Sequence, residues 1–227
     1  MGTENEVTIE TIEALPGKGP AGGRVRIRFT GGEALDLPRD LVLVLGWGPG
    51  DRIPSREAER ARKRGEALEA REQALRLLDH QSRTRRELQS RLEQAGHSPR
   101  AVRFALFWCT ARGFLDDRRF AQSWVISRLT RPEYGSFRIC HELIQRGVDP
   151  ALAKAVVEEA LPPEEELERA VAAGRRRLGA RLGSGEPLSL NESARLIRYL
   201  AGRGFPYGIA RQAVARLGGE ILPDEAP

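Results

Sequence analysis

Long apolar runs, cysteine, histidine and lysine are all scarce in this chain of 227 residues, and each scarcity removes a class of function. The longest apolar stretch, Leu41 to Trp47, falls far short of the roughly 20 residues that a membrane-spanning helix needs. The opening MGTENEVTIE is acidic in character and has no apolar h-region, so no secretory signal is expected. The chain reads as cytoplasmic, with no membrane partner. Cys109 and Cys140 match neither a disulfide framework nor a CxxC metal spacing, and both are expected to be reduced. The three histidines, His80, His97 and His141, form no HxxxH pair, so no metal and no cofactor are expected. Gly17-Lys18-Gly19 lacks the upstream glycine and the following Ser or Thr of a phosphate loop and reads as a turn. Asp116 and Asp117 are neighbours, which a helix turns about 100° apart, so they cannot face one substrate as an acid and base pair. With no catalytic residue in view, the chain reads as non-enzymatic. Of its 37 basic residues only Lys18, Lys63 and Lys154 are lysine. A GC-rich genome and selection for bidentate phosphate contacts would both produce that bias.

What is present is charge that alternates along the chain. Residues 1–50 carry five basic and seven acidic side chains, a balance of −2. Residues 81–131 carry eleven and four, +7, and residues 169–216 carry ten and two, +8. Between these basic blocks, residues 132–168 hold three basic and nine acidic groups, −6. Such alternation suits a polyanion and a protein partner together.

A repeat with a period near fifty residues organises the rest. Leu88, Leu92 and Gly96 recur as Ile139, Leu143 and Gly147 and again as Leu196, Leu200 and Gly204, offset by 51 and then 57 residues. Each set predicts an amphipathic helix closed by a glycine. A second helix restarts after each glycine at Ser98-Pro99, Asp149-Pro150 and Pro206, with apolar stripes Val102, Leu106, Cys109; Ala153, Val157, Ala160; and Ala210, Val214, Leu217. Thr84-x-x-Glu87 and Ser189-x-x-Glu192 are capping boxes, while the middle copy opens after Pro132 at Gly135. A third helix precedes each pair, at about Leu68 to Leu78, Asp116 to Leu129 and Glu164 to Leu182. In the second of these, Asp116 is expected to cap a core stripe of Phe120, Ala121, Trp124, Val125 and Leu129, with Phe104, Phe107 and Trp108 packed against it. A base-stacking surface is the rival reading of those aromatics.

The N-terminal part differs. Val7, Ile9 and Ile12, then Val25, Ile27 and Phe29, flank the turn-rich Pro16 to Gly23 and predict a β-hairpin. Leu41 to Leu45 fits a strand or a short helix, and Gly46 to Pro54 is a linker by composition. Ser55 opens a Glu- and Arg-rich helix. The chain is therefore expected to be mainly α, with an N-terminal hairpin-containing region at 1–53, three-helix repeats at 54–112, 113–161 and 162–222, and a tail at 223–227.

These residues resemble the RecX family of regulatory proteins of bacterial recombination. The likeness covers most of the chain. It is strongest over Ser82 to Leu88 with Leu92, over Gly113-Phe114-Leu115-Asp116-Asp117-Arg118-Arg119-Phe120-Ala121, and over Arg138-Ile139, Glu142-Leu143 and Gly147-Val148. The chain departs from the family pattern at Arg118, where an acidic residue is common, in the long Ser55 to Arg71 stretch, and in the side chains of the third repeat. The resemblance implies a cytoplasmic monomer that binds RecA filaments on DNA, restrains their ATP hydrolysis, strand exchange and growth, and so acts in DNA repair and the SOS response. Stacked repeats would form an elongated curved array able to lie along a filament and touch more than one protomer.

The contact residues are sought among the arginines. Arg83, Arg85 and Arg86 stand at one helix start and Arg118 and Arg119 at another, where cations oppose the helix macrodipole, and Arg175, Arg176 and Arg177 form a third cluster. Arg128, Arg131, Arg138, Arg195, Arg198 and Arg203 extend the set. The expected ligands are phosphate, as weak and sequence-independent binding of single- and double-stranded DNA, or an acidic protein surface. The alternative is a stand-alone DNA-binding transcription regulator. It would need base-reading side chains on the helices from Pro99, Pro150 and Pro206, which carry mainly apolar or small residues.

Overall fold

The computed structural model describes residues 6–16, 23–179, 181 and 186–220. The expected turn at 17–22, the helix end at Leu182 and the tail at 223–227 lie outside the described residues. Two compact units divide at Asp116 and Asp117.

The first unit opens with more sheet than a hairpin. Strands β1 (Glu6–Leu15), β2 (Arg24–Phe29), β3 (Ala34–Pro38) and β4 (Arg52–Pro54) form an antiparallel sheet in the order β3-β2-β1-β4. A bulge between Ile9 and Thr11 changes the parity of β1, which is why Ile9 and Ile12 can both meet the core despite an odd spacing. Leu41 to Leu45 is helical, within α1 (Arg39–Leu45), and Gly46 closes it in the left-handed conformation at φ 69°. The Gly46 to Pro54 stretch is not simply a linker: Ile53 is buried and pairs with Val7, so its end becomes β4. Pro54 is tolerated there because the strand stops with it.

Helix α2 (Ser55–His80) belongs to two cores. Ala58, Ala61 and Leu68 pack into the sheet core with Ile27, Leu37 and Leu41, and Gly65 lies where a Cβ would come within 2.7 Å of Leu37 Cδ2. Ala70, Ala74, Leu77 and Leu78 join a different core with α3 (Arg85–Gln94) and α4 (Pro99–Ala111). Carboxylates of α2 also hold the neighbouring elements: Glu69 pairs with Arg24 at 2.9 Å, and Glu66 accepts from the Ser98 N–H at 2.8 Å.

The second unit contains α5 (Asp117–Leu129), α6 (Ser136–Gln145) and α7 (Pro150–Ala160), then α8 (Pro163–Leu178), α9 (Leu190–Gly202) and α10 (Tyr207–Arg216). The repeat signals do what their chemistry requires. Both capping boxes are formed, Ser98 and Asp149 accept from the first-turn amides, and the paired apolar positions from Leu88 to Leu200 are buried. The closing glycines take the same left-handed backbone, with φ of 87°, 90° and 87° at Gly96, Gly147 and Gly204.

The aromatic residues correct the sequence reading. In α5 the fully buried positions are Ala121 and Val125, while Phe120 and Trp124 are only partly buried and stack on each other with centroids 6.1 Å apart. In α4 the core is taken by the smaller Ala105, Leu106 and Cys109, leaving Phe104 39% and Phe107 70% exposed. Helical spacing alone does not say which face of a helix is the core.

Within the second unit the two repeats are joined backbone to backbone. The Gly135 N–H donates to the Arg203 carbonyl at 3.1 Å and the Phe137 N–H to the Gly204 carbonyl at 2.9 Å. Glu166, 4% exposed, accepts from the Ser136 N–H at 2.6 Å. Burial pushes the Glu166 carboxyl above its ordinary range, against the pull of the Ser136 hydrogen bonds and the nearby Arg169. The folded chain then binds a proton more readily than the unfolded one, so this group's contribution to stability falls as pH rises through the carboxylate range. Glu166→Gln keeps an acceptor for Ser136 and should flatten that dependence with little loss at neutral pH. Glu166→Ala strands a buried donor and should cost about 1–3 kcal/mol. Melting curves across pH check both.

Candidate functional site

The expected arginines fall into three kinds of place. Some close the fold. Arg83 donates from Nε to the Leu77 carbonyl at 3.3 Å, where α2 ends. Arg175, Arg176 and Arg177 occupy the last turn of α8, whose first turn holds Glu164, Glu165 and Glu166. Both ends therefore complement the helix dipole, and three consecutive residues radiate about 100° apart rather than sharing a face. This gives the triplet a structural account that position in the sequence did not reveal.

Others lie on aromatic rings. In the second unit Arg128 lies 4.0 Å from the Trp124 ring centre and donates to Glu142 at 2.6 Å, and Arg138 lies 4.2 Å from Tyr134 and reaches the same Glu142 at 3.3 Å. Burial alone would raise the Glu142 carboxyl, but these two guanidinium groups outweigh it and hold it below the usual range. Arg131 donates to the Tyr134 hydroxyl at 3.3 Å. The structure thus brings Arg128, Arg131 and Arg138 together, and it adds Arg146, 3.9 Å from Trp124. In the third repeat Arg177 and Arg203 share the Tyr199 ring, at 5.6 and 5.0 Å. Arg195 and Arg198 are exposed on α9, away from its buried Leu196 and Leu200.

The third kind stands in the first turn of a helix. Arg85 and Arg86 begin α3, and Arg118 and Arg119 follow Asp117 at the start of α5. All four are exposed. Arg85 reaches the Thr110 hydroxyl at 3.3 Å and Arg118 pairs with Glu159 at 2.8 Å. Exposed pairs of this kind contribute about 0–1 kcal/mol, no more than the dipole costs.

Two arginines were missed from sequence, one on the aromatic cluster and one that closes the fold. Arg146 is the repeat equivalent of Arg203, each standing just before the closing glycine, and that symmetry was the signal that could have found it. Arg169 donates to the Leu129 and Arg131 carbonyls at 3.1 and 2.7 Å, long-range contacts that no local pattern encodes. Among the described residues no group of three or more His, Cys, Asp or Glu could hold a metal ion, and no helix is long and apolar enough to cross a membrane.

Comparison with known proteins accounts for the repeat. Family models described as the first, second and third three-helix domains of RecX match residues 70–108, 116–157 and 164–214. The "Regulatory protein RecX" of Halorhodospira halophila is 40% identical over 152 residues, covering 66% of this chain and 90% of that protein. Its namesake from Chromobacterium violaceum is 36% identical over 151 residues, covering 66% and 91%. The fold is similar to a crystal structure of regulatory protein RecX, with a TM-score of 0.67 at 19% identity over 89% of this chain and 96% of that one. It is also similar to RecX from Lactobacillus salivarius, with a TM-score of 0.60 at 20% identity over 67% and 96%. The third repeat, whose side chains depart furthest from the pattern, is matched along with the other two, and the chain belongs to the RecX family of regulatory proteins.

Proposed function

We propose that this chain is a cytoplasmic, non-catalytic regulator that binds a RecA-type recombinase filament on DNA and restrains its ATP hydrolysis, strand exchange and growth. The observation that supports this most is the placing of Arg85, Arg86, Arg118 and Arg119 in first helical turns. There they lower helix stability by typically 0.3–1 kcal/mol, a cost that a bound anion or acidic protein surface would offset. Within the second unit, the arginines that rest on Trp124, Tyr134 and Tyr199 offer further donors in a fixed plane, suited to carboxylate or phosphate. DNA alone should be held weakly, without sequence preference, and with a steep loss of affinity as salt rises.

The test replaces Arg118 and Arg119 together by alanine and measures RecA ATPase inhibition beside thermal melting. The expected result is weaker inhibition with a melting temperature unchanged or slightly raised, since both side chains are exposed and the Arg118 pair with Glu159 is a surface one. Early melting, or full inhibition by a folded variant, would remove these residues from the interface.

A further inference from the structure

Helix α4 has two opposite faces. Val102, Ala105, Leu106 and Cys109 enter the core of the first unit. Phe104, Phe107 and Ala111, at i, i+3 and i+7, share the other side, and Trp108 at its edge is partly buried against that core. Phe107 is more exposed than Phe104, and Phe114 in the turn that follows is 55% exposed. The Phe114 ring lies nearly parallel to Trp108, with centroids 5.8 Å and planes 13° apart, and Arg71 and Arg112 approach the Trp108 ring to 5.2 and 5.1 Å. Arg100, one turn before Phe104, and Arg103 are exposed on the same helix. From Pro99 to Phe114 the chain carries three arginines and no carboxylate, the first acid being Asp116.

We infer that this face is a stacking platform for single-stranded nucleic acid, with bases on Phe107 and Phe114 and phosphates on Arg100, Arg103 and Arg112. The large exposed apolar side chains here are all aromatic, and every base offers a flat face to such rings whatever its sequence. The cations on the same segment answer the phosphate charge, and no carboxylate on it repels it. A duplex hides its base faces and would meet only the arginines. This goes beyond the regulatory reading and does not depend on it, since oligonucleotide alone is the ligand.

The experiment titrates the full chain against fluorescently labelled oligo-dT and, separately, a duplex of equal length, reading anisotropy at low and at physiological salt. Phe107→Ala and Phe114→Ala remove exposed rings, and melting curves verify that each variant stays folded. Each should weaken oligo-dT binding about five-fold or more and leave the duplex unchanged, while Phe107→Trp restores the affinity and Phe107→Leu does not. Equal losses on both ligands, full retention by Phe107→Leu, or no oligo-dT binding at low salt would overturn the platform. So would unchanged oligo-dT affinity accompanied by loss of co-sedimentation with recombinase, which would make this a protein-docking face.

Discussion

Replacing Gly135 by alanine should unfold much of the second unit at temperatures where the parent is intact. A Cβ at this position would lie 2.3 Å from the Phe205 nitrogen and 2.4 Å from the Gly204 carbonyl carbon and oxygen. These are backbone atoms, so no rotamer change can relieve the clash and the two repeats must separate. Separation also breaks the hydrogen bonds from Gly135 to Arg203 and from Phe137 to Gly204, each contributing about 1 kcal/mol. A loss of about 3 kcal/mol or more is expected, or roughly 10 °C in melting temperature for a unit of this size. Gly204→Ala should be comparable, because its Cβ would meet Arg138 at 2.4 Å and its φ of 87° is left-handed. Gly96→Ala supplies the control. Its φ is also 87°, but nothing lies within 4 Å, so only backbone strain of about 1–2 kcal/mol remains. If all three variants melt alike, the close joint between the second and third repeats is wrong.

Phe205→Ala and Phe107→Ala remove the same atoms and should differ several-fold in cost. Phe205 is 1% exposed, inside a core with Leu196, Leu200, Ala210 and Val214. Its truncation should cost on the order of 3–5 kcal/mol through lost transfer energy and the cavity left behind. Phe107, largely in water already, should cost about 0.5 kcal/mol or less. Chemical denaturation of the two variants beside the parent decides the matter, and equal midpoints for both would invalidate the burial pattern of α4 and of the turn between α9 and α10.

The contrast between these two phenylalanines marks the limit of what the sequence disclosed. Local signals were legible: a capping box, a glycine closing a helix and a proline reopening one act within a few residues, and the structure realises the first in two repeats and the other two in all three. Phe205 follows a closing glycine at a fixed repeat position, and its burial fits that frame. Phe107 sits on a helix whose two faces both carry apolar groups: the stripe of Val102, Leu106 and Cys109 read from the spacing is the buried one, but periodicity could not tell that Phe104 and Phe107 on the other face stay in water. The small residues face inward because α2 and α4 approach closely through Ala70, Ala74, Ala101 and Ala105, all buried. That approach depends on residues about thirty positions apart. The site was legible only in part for the same reason. Arg83 looked like a ligand-binding cation until the Leu77 carbonyl stood beside it. Strand β4 was hidden because its partner β1 lies about forty-five residues earlier in the chain and because Gly and Pro dominate the Gly46 to Pro54 stretch that it ends.

The double allegiance of α2 imposes a constraint on length rather than on residue type. At 100° per residue, Ala61 and Gly65 point to one side of the helix and Ala70 and Ala74 to nearly the opposite side, which is why no single apolar stripe runs from Ser55 to His80. Its 26 residues span about 39 Å at 1.5 Å each, as one rod between two cores. A single residue inserted between Gly65 and Ala70 would turn one docking face by 100° and advance it by about 1.5 Å relative to the other. Neither core could follow without giving up its contacts. Surface positions on this rod can therefore drift freely among helix formers, while an insertion or deletion is tolerated only near multiples of a whole turn, so α2 acts as a phase standard for the first unit.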